Sequence, residues 1–239
     1  MVLAMRLLLI RHGQTPNNVL GALDTARPGA GLTELGREQA RAVPEVLAAE
    51  RIAALHVSAL VRTQQTAAPL AAERGLTAQV TEGLEEISAG DHEMGRAHES
   101  VAAYQENLVR WGDSDFDHAI PSGEDGHTFF GRYSSALRAI AAEHPEDATV
   151  AVVSHGAAIR IYATIAAGLP LETLDDQPLY NTGMVVLTGH PDRGWELSTW
   201  INDPVGGAQL RGDTSHDVTA DDTTDAVGTE TQDYTSTSE

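Results

Sequence analysis

Short apolar runs that alternate with amphipathic segments constrain the fold of this sequence more than any other feature does. The runs at 6–10, 52–57 and 149–153 have the length of buried strands, and polar residues bound them. The segments between such runs place apolar residues on one helical face, as at 35–47. The alternation predicts an α/β fold, a three-layer αβα sandwich around a mostly parallel sheet of roughly six strands.

Element boundaries follow from the same pattern and from capping residues. The predicted strands are residues 6–10, 52–57, 77–81, 149–153, 184–187 and 195–201. The predicted helices are residues 33–47, 58–74, 97–111, 124–143 and 157–167. We expect Thr33 and Ser58 to be N-caps, because a hydroxyl can accept the free N–H groups of a first helical turn. We expect Pro44 to kink the first helix.

Composition divides the chain at about residue 210. Residues 1–210 carry the apolar runs and predict one domain with a full core. Residues 211–239 are rich in Asp, Thr and Ser and hold few large apolar groups. Such a segment cannot bury enough surface to offset its chain entropy, so it predicts an acidic disordered tail.

The charge balance excludes several classes of partner. A net charge of −20 argues against nucleic acids and anionic membranes, since both need a basic surface. An anionic ligand must therefore be attracted by a local arginine cluster. The chain has no Cys and hence no thiolate nucleophile. No apolar stretch has the length of a membrane span or a signal segment, which predicts a cytoplasmic location.

Two histidines follow buried strands in the same local context. The first strand is followed by Arg11-His12-Gly13, and the fourth by Ser154-His155-Gly156. In a parallel sheet the carboxyl ends of the strands open onto one crevice, where ligands bind. A single histidine in such a position is more often a hydrogen-bonded loop residue with no functional role. The repeated pattern instead predicts that His12 and His155 face one pocket.

At this point the sequence resembles the histidine phosphatase superfamily, in its phosphoglycerate-mutase-like branch. The resemblance covers roughly residues 6–203, and no single motif in it is specific by itself. The matching motifs are Arg11-His12-Gly13 with Thr15 and Asn18, 32–36 with Gln39 and Ala40, 58–62 with Thr66 and Ala67, 84–87 with Gly90 and Glu93, 121–124, and 153–156. Gln14 departs from the glutamate that is usual in the family.

The resemblance implies that residues 1–210 form a catalytic domain acting as a phosphomonoesterase on a small phosphorylated metabolite. His12 would be the nucleophile that forms a phosphohistidine. Arg11, Arg62, Asn18 and Gly156 would bind the substrate, with His155 acting as an imidazolium. The chemistry agrees, because a phosphate monoester carries up to two negative charges that must be neutralised before attack. Arginine suits this task, since its planar fork binds phosphate bidentately.

The leaving alkoxide needs a proton, which a carboxylic acid can supply and later regain from water. The resemblance favours Glu86 for this role, with Glu85 as the alternative if the alignment shifts by one residue. The ordinary expectation for either glutamate is a solvent-exposed loop position with no catalytic role.

Other histidines lie in the middle of the chain. A metal site among Asp91, His92, His98, His118 and His127 is conceivable, but the spacings fit no compact ligand pattern. We therefore expect no metal and no cofactor. His92, Tyr104 and His127 could line the pocket mouth, although packing or surface positions are the ordinary expectation. Asp125 is given no role.

Two other functions remain open. A cofactor-dependent phosphoglycerate mutase would share the chemistry, although the short gap between Glu86 and His155 favours a phosphatase. A non-catalytic phosphate-binding module would be expected to lack His12, His155 or the acid, and all three are present. The sequence does not predict an oligomeric state or a natural substrate.

Overall fold

The computed structural model describes residues 4–170 and 173–212, and it contains one six-stranded sheet. The strands are β1 (Met5–Arg11), β2 (Ile52–Val57), β3 (Ala78–Val80), β4 (Thr149–Ser154), β5 (Met184–His190) and β6 (Gly194–Ile201). Their order across the sheet is β3-β2-β4-β1-β5-β6. The pairs β1–β4, β2–β4 and β2–β3 are parallel, and β5 is antiparallel to both of its neighbours. The predicted mostly parallel α/β sheet is confirmed.

Helices cover both faces of the sheet. They are α1 (Pro16–Val19), α2 (Glu34–Val46), α3 (Val61–Arg74), α4 (His98–Gly112), α5 (Gly126–Ala142), α6 (Gly156–Ala166) and α7 (Thr173–Asp176). Alternate residues of β1 enter two separate cores. Leu8 and Ile10 join α2 and α3 on one face, whereas Leu7 and Leu9 join α4, α5 and α6 on the other. This is the period-two pattern of a strand that is buried on both sides.

Two expected helix starts were wrong. Ser58 does not cap α3, which begins at Val61 after Leu60 and has no side-chain cap. The Ser58 hydroxyl is turned instead toward His155. The helix predicted from residue 124 begins at Gly126, since the Asp125 carboxylate accepts from the N–H of Thr128 at 2.7 Å and caps it.

Other boundaries agree closely with the prediction. Thr33 caps α2 by accepting from the N–H of Gly36 at 3.0 Å. Pro44 lies in the last turn of α2, which ends two residues later at Val46. The kink expected at this proline stays a prediction.

The predicted tail lies outside the described residues, apart from Arg211 and Gly212. Arg211 pairs with the Asp203 carboxylate and lies over the ring of Tyr180, 4.2 Å from its centroid. The tail beyond these contacts stays a prediction. Within the described ranges, no helix has both the length and the apolar character to cross a bilayer. The compartment stays a prediction.

Candidate active site

Parallel pairing of β1 with β4 brings the two predicted histidines together. Arg11 and Ser154 are register partners at the ends of these strands, so His12 and His155 leave the sheet side by side. The backbone N–H of His12 donates to the carbonyl oxygen of Ser154 at 3.0 Å. The two imidazole rings are buried and meet edge to face, with their centroids 5.3 Å apart.

The hydrogen bond made by His12 fixes its tautomer. Its Nδ1 lies 2.8 Å from the carbonyl oxygen of Gly13, which can only accept, so Nδ1 carries the proton and Nε2 keeps its lone pair. A Cβ on residue 13 would lie 2.6 Å from the carbonyl oxygen of Gly36, so only glycine fits there. Burial lowers the pKa of His12 well below its usual value, and the charges of Arg62 and Arg11 lower it further. At neutral pH His12 therefore has the neutral form that a nucleophile needs.

Two buried guanidinium groups provide positive charge near His12. Arg62, in the first turn of α3, donates from Nη2 to the carbonyl oxygen of Asp24 at 2.8 Å, and its Nη1 lies 3.6 Å from the Asp24 carboxylate. Arg11 donates from Nη1 to the carbonyl oxygen of Leu179 at 2.7 Å. The exposed fractions of Arg62 and Arg11 are 3% and 1%. Shielding from water strengthens the attraction of such charges for an anion.

The side-chain amide of Asn18 is oriented by its neighbours. Its Oδ1 accepts from the N–H of Thr15 at 3.0 Å and from Nδ2 of Asn181 at 3.3 Å. The Nδ2 group of Asn18 is thereby left for the pocket, which Asn18 lines together with His12. Asn181 also donates to the carbonyl oxygen of His12 at 3.1 Å.

Glu86 is buried at the N-terminus of α6. Its carboxylate accepts from the N–H of Ala158 at 2.9 Å, of Ile87 at 2.9 Å and of Ala157 at 3.2 Å. Burial raises the pKa of Glu86, although these N–H groups and Arg62 act in the opposite direction. A raised pKa keeps more of the carboxyl protonated near neutral pH, as a proton donor requires.

The structure places Glu85 away from the pocket. Its carboxylate contacts the exposed guanidinium of Arg27 and accepts from the N–H of Gly83 at 2.7 Å. Glu86, by contrast, lines the same pocket as His12 and Arg62. The geometry thus favours Glu86 of the two carboxylates.

Comparison with known proteins identifies the family. A sequence profile of the histidine phosphatase superfamily (branch 1) matches residues 7–203. The chain belongs to this superfamily. The resemblance described from its motifs is confirmed.

Related histidine phosphatase superfamily proteins differ in how much of their length this chain matches. The PE-PGRS family protein PE_PGRS11 of Mycobacterium tuberculosis is 36% identical over 220 residues, which cover 84% of this chain and 37% of that protein. The chain thus spans little more than a third of that relative. The adenosylcobalamin/alpha-ribazole phosphatase of Escherichia coli is 31% identical over 170 residues, covering 71% of this chain and 83% of that protein.

A solved structure of the superfamily supports the same fold. The structure of mycobacterial glucosyl-3-phosphoglycerate phosphatase complexed with VO3 superimposes with a TM-score of 0.70 at 29% sequence identity. The alignment covers 83% of this chain and 99% of that chain.

Burial and nearby positive charges act against the imidazolium expected for His155 in this superfamily member. Burial lowers the pKa of His155 well below its usual value, and the charges of Arg62 and His12 lower it further. The direction of this shift favours a neutral imidazole over an imidazolium. The sequence does not show how completely the His155 ring is buried.

Three other residues considered from the sequence, Gly156, Tyr104 and His92, differ in how close they lie to the pocket. Gly156 begins α6 and is buried, and its substrate contact stays a prediction. Tyr104 lines the pocket and donates to the carbonyl oxygen of Ile87 at 3.1 Å. His92 lies near Ser100, with Nδ1 3.2 Å from its hydroxyl.

The other central histidines and acids form no metal centre that the structure shows. The side chain of His127 is 66% exposed, and its Nε2 lies 3.4 Å from Asp117. Across residues 4–170 and 173–212, no group of three or more His, Asp or Glu side chains has the geometry to hold a metal ion.

Sequence reasoning missed Arg132, which holds the segment carrying Glu86. Arg132 donates from Nη2 to the carbonyl oxygen of Glu86 at 3.0 Å and from Nη1 to those of Gly83 and Glu85, both at 2.9 Å. Its guanidinium also binds the Glu124 carboxylate at 2.6 and 2.7 Å. Arg132 lies 46 positions after Glu86 in the sequence, so no local pattern signals this contact.

We expect Arg132→Met to lower the free energy of unfolding by about 3 kcal/mol, because it leaves the largely buried Glu124 carboxylate without its cationic partner. Urea unfolding measures this loss. Arg138→Met is the matched control on α5, since its ion pair with Asp192 is exposed and a change within about 0.5 kcal/mol is expected. Equal losses in the two variants would contradict the structural role of Arg132.

Proposed function

We propose that this protein is a phosphomonoesterase that transfers the phosphoryl group of a small substrate to His12 and then to water. The observation that carries the proposal is the state of His12. Its imidazole is buried and neutral, its proton is fixed on Nδ1 by Gly13, and it lies beside a second buried histidine and two buried arginines.

In the first step Nε2 of His12 attacks the phosphorus atom of the substrate. Arg11, Arg62 and the Nδ2 group of Asn18 neutralise or bind the phosphoryl oxygens, so the anionic group can accept an electron pair. A P–N bond forms as the P–O bond to the leaving group breaks. Glu86, in its protonated form, gives its proton to the departing oxygen, and the alcohol leaves.

In the second step water replaces the alcohol. The Glu86 carboxylate removes a proton from water as the water oxygen attacks phosphorus. The P–N bond breaks, inorganic phosphate forms, and His12 and protonated Glu86 are restored. The three backbone N–H groups that bind Glu86 stabilise its carboxylate between the two steps.

A product assay tests this function against the mutase alternative. We expect hydrolysis of p-nitrophenyl phosphate without added metal and without inhibition by EDTA. With 3-phosphoglycerate and a trace of 2,3-bisphosphoglycerate, inorganic phosphate should form rather than 2-phosphoglycerate. Accumulation of 2-phosphoglycerate would identify a mutase. Complete dependence on a divalent ion would contradict the mechanism.

A further inference from the structure

Ser58 contacts the second histidine of the site directly. It follows β2, and its N–H donates to the carbonyl oxygen of Val153 at 3.2 Å, which places it beside the end of β4. Its hydroxyl oxygen lies 2.7 Å from Nε2 of His155. Both residues are fully buried, so no bulk water competes for this contact.

The neighbouring hydroxyl of Thr63 limits where the Ser58 proton can go. Thr63 Oγ1 lies 2.8 Å from the carbonyl oxygen of Leu60 and 2.9 Å from that of Ser58, and carbonyls only accept. The single Thr63 proton is thus used on a carbonyl. Ser58 Oγ accepts from the N–H of Leu60 at 3.3 Å, so its own proton has two possible acceptors.

The two acceptors are Nε2 of His155, at 2.7 Å, and Oγ1 of Thr63, at 3.1 Å. The shorter contact is the one to the imidazole nitrogen, which is also the stronger base. Donation to Nε2 requires that the proton of a neutral His155 lie on Nδ1. Among the described residues, Nδ1 of His155 is buried and has no hydrogen-bond partner.

We infer that Ser58 is a positioning residue: its hydroxyl donates to Nε2 of His155, and this places the imidazole proton on Nδ1, from which His155 donates to the phosphoryl group. The inference rests on the proposed function. It explains how a neutral His155 can bind an anion, since the other tautomer would present a lone pair at Nδ1. An unpaired buried Nδ1–H is costly alone and is satisfied by a phosphoryl oxygen.

The protein's electrostatics agree with a neutral donor. Four charged or titratable groups act against protonation of His155, namely Arg62, His12, Arg132 and Arg11, in addition to its burial. A positive charge on the His155 ring would be repelled by the positive charges among these groups. A tautomer fixed by Ser58 gives the same hydrogen bond without that charge.

The direct test is the tautomer of His155 in the wild-type protein. Long-range ¹H–¹⁵N correlation spectra of ¹⁵N-histidine-labelled protein at about neutral pH distinguish the two tautomers, and His155→Asn assigns the signal. We expect the Nδ1–H form. The Nε2–H form or an imidazolium would overturn the inference, and this reading does not depend on whether the protein is a phosphatase.

Kinetic variants test the consequence of this contact. Ser58→Ala should lower kcat/KM for p-nitrophenyl phosphate by about 10- to 100-fold, the effect of one hydrogen bond to a charged group. The ratio of Ser58→Ala activity to wild-type activity should rise toward lower pH, where protonation of His155 restores the Nδ1 donor. Ser58→Thr, which keeps the hydroxyl, should recover activity.

Thr63→Val distinguishes the two possible directions of the Ser58 proton. It removes the competing acceptor, so the Nδ1–H tautomer should persist. Appearance of the Nδ1–H tautomer only in Thr63→Val and not in the wild type, or wild-type kcat/KM and pH profile in a folded Ser58→Ala, would overturn the inference. If Ser58→Ala does not fold, the wild-type and Thr63→Val spectra decide. Absence of wild-type hydrolysis would contradict the proposed function and leave the tautomer measurement intact.

Discussion

His12→Ala is expected to lower kcat for p-nitrophenyl phosphate by about 10⁴-fold or more, as loss of a covalent nucleophile does in other enzymes. The variant keeps Arg11 and Arg62, so the phosphate-binding charges remain. It lacks the nitrogen that forms the P–N bond, and water would have to attack the substrate directly. The measurement is steady-state hydrolysis with protein of verified fold.

A buried histidine outside the site provides the matched control for this variant. His56 lies on β2 and is 2% exposed, and its Nδ1 lies 2.9 Å from the hydroxyl of Thr81. His56→Ala removes an imidazole of similar burial, and we expect kcat to stay close to wild type. If His12→Ala retains activity comparable to His56→Ala, His12 is not the nucleophile.

Glu86→Gln is expected to lower kcat by about 10²- to 10⁴-fold for substrates with a poor alkoxide leaving group, the usual contribution of a general acid. Glutamine keeps the size of the side chain and an oxygen acceptor for the N–H groups of α6, but it has no proton to give. For p-nitrophenyl phosphate the first step should change much less, because its leaving group needs no proton. The comparison of alkyl and aryl phosphates measures this difference.

Glu85→Gln is the control for the neighbouring carboxylate, and we expect it to leave kcat for both substrate types near wild type. Its carboxylate contacts Arg27 and the N–H of Gly83 and lies 4.0 Å from Nη1 of Arg132, outside the pocket that His12 lines. A loss confined to alkyl phosphates in Glu85→Gln, and absent in Glu86→Gln, would reverse the assignment.

The pH dependence of kcat/KM for alkyl phosphates has a predictable sign. Glu86 must be protonated in the first step, so activity falls as pH rises through its pKa, which burial raises. His12 must be neutral, and its pKa lies well below the usual value of 6.5, so activity persists on the acidic side of neutrality. The alkaline decrease should be absent in Glu86→Gln.

Much of the fold was predictable because buried strands leave a clear local signal. The runs at 6–10, 52–57 and 149–153 correspond to β1, β2 and β4, and these three strands are adjacent in the sheet. Their adjacency explains why the His12 and His155 motifs, far apart in sequence, predicted one site. The reversed direction of β5 carries no comparable signal, since apolar runs look alike in either direction.

The parts of the site that sequence reasoning missed are contacts made across the fold. Asn181 orients Asn18 from the segment before β5, and Arg132 reaches back from α5 to the carbonyl of Glu86. Ser58 looked like a helix cap because serine before a helical pattern usually is one. Only the packed structure shows that its hydroxyl is used on His155.

Trapping the phosphorylated enzyme tests the central claim most directly. Wild-type protein is mixed with p-nitrophenyl phosphate and quenched in alkali, which preserves phosphohistidine. The protein is then digested, and the masses of its peptides are measured by mass spectrometry. The account predicts one added phosphoryl group on the peptide containing His12, labile to acid and attached at Nε2. A phosphoryl group on any other residue, or turnover with no phosphorylated peptide under conditions that preserve phosphohistidine, would contradict it.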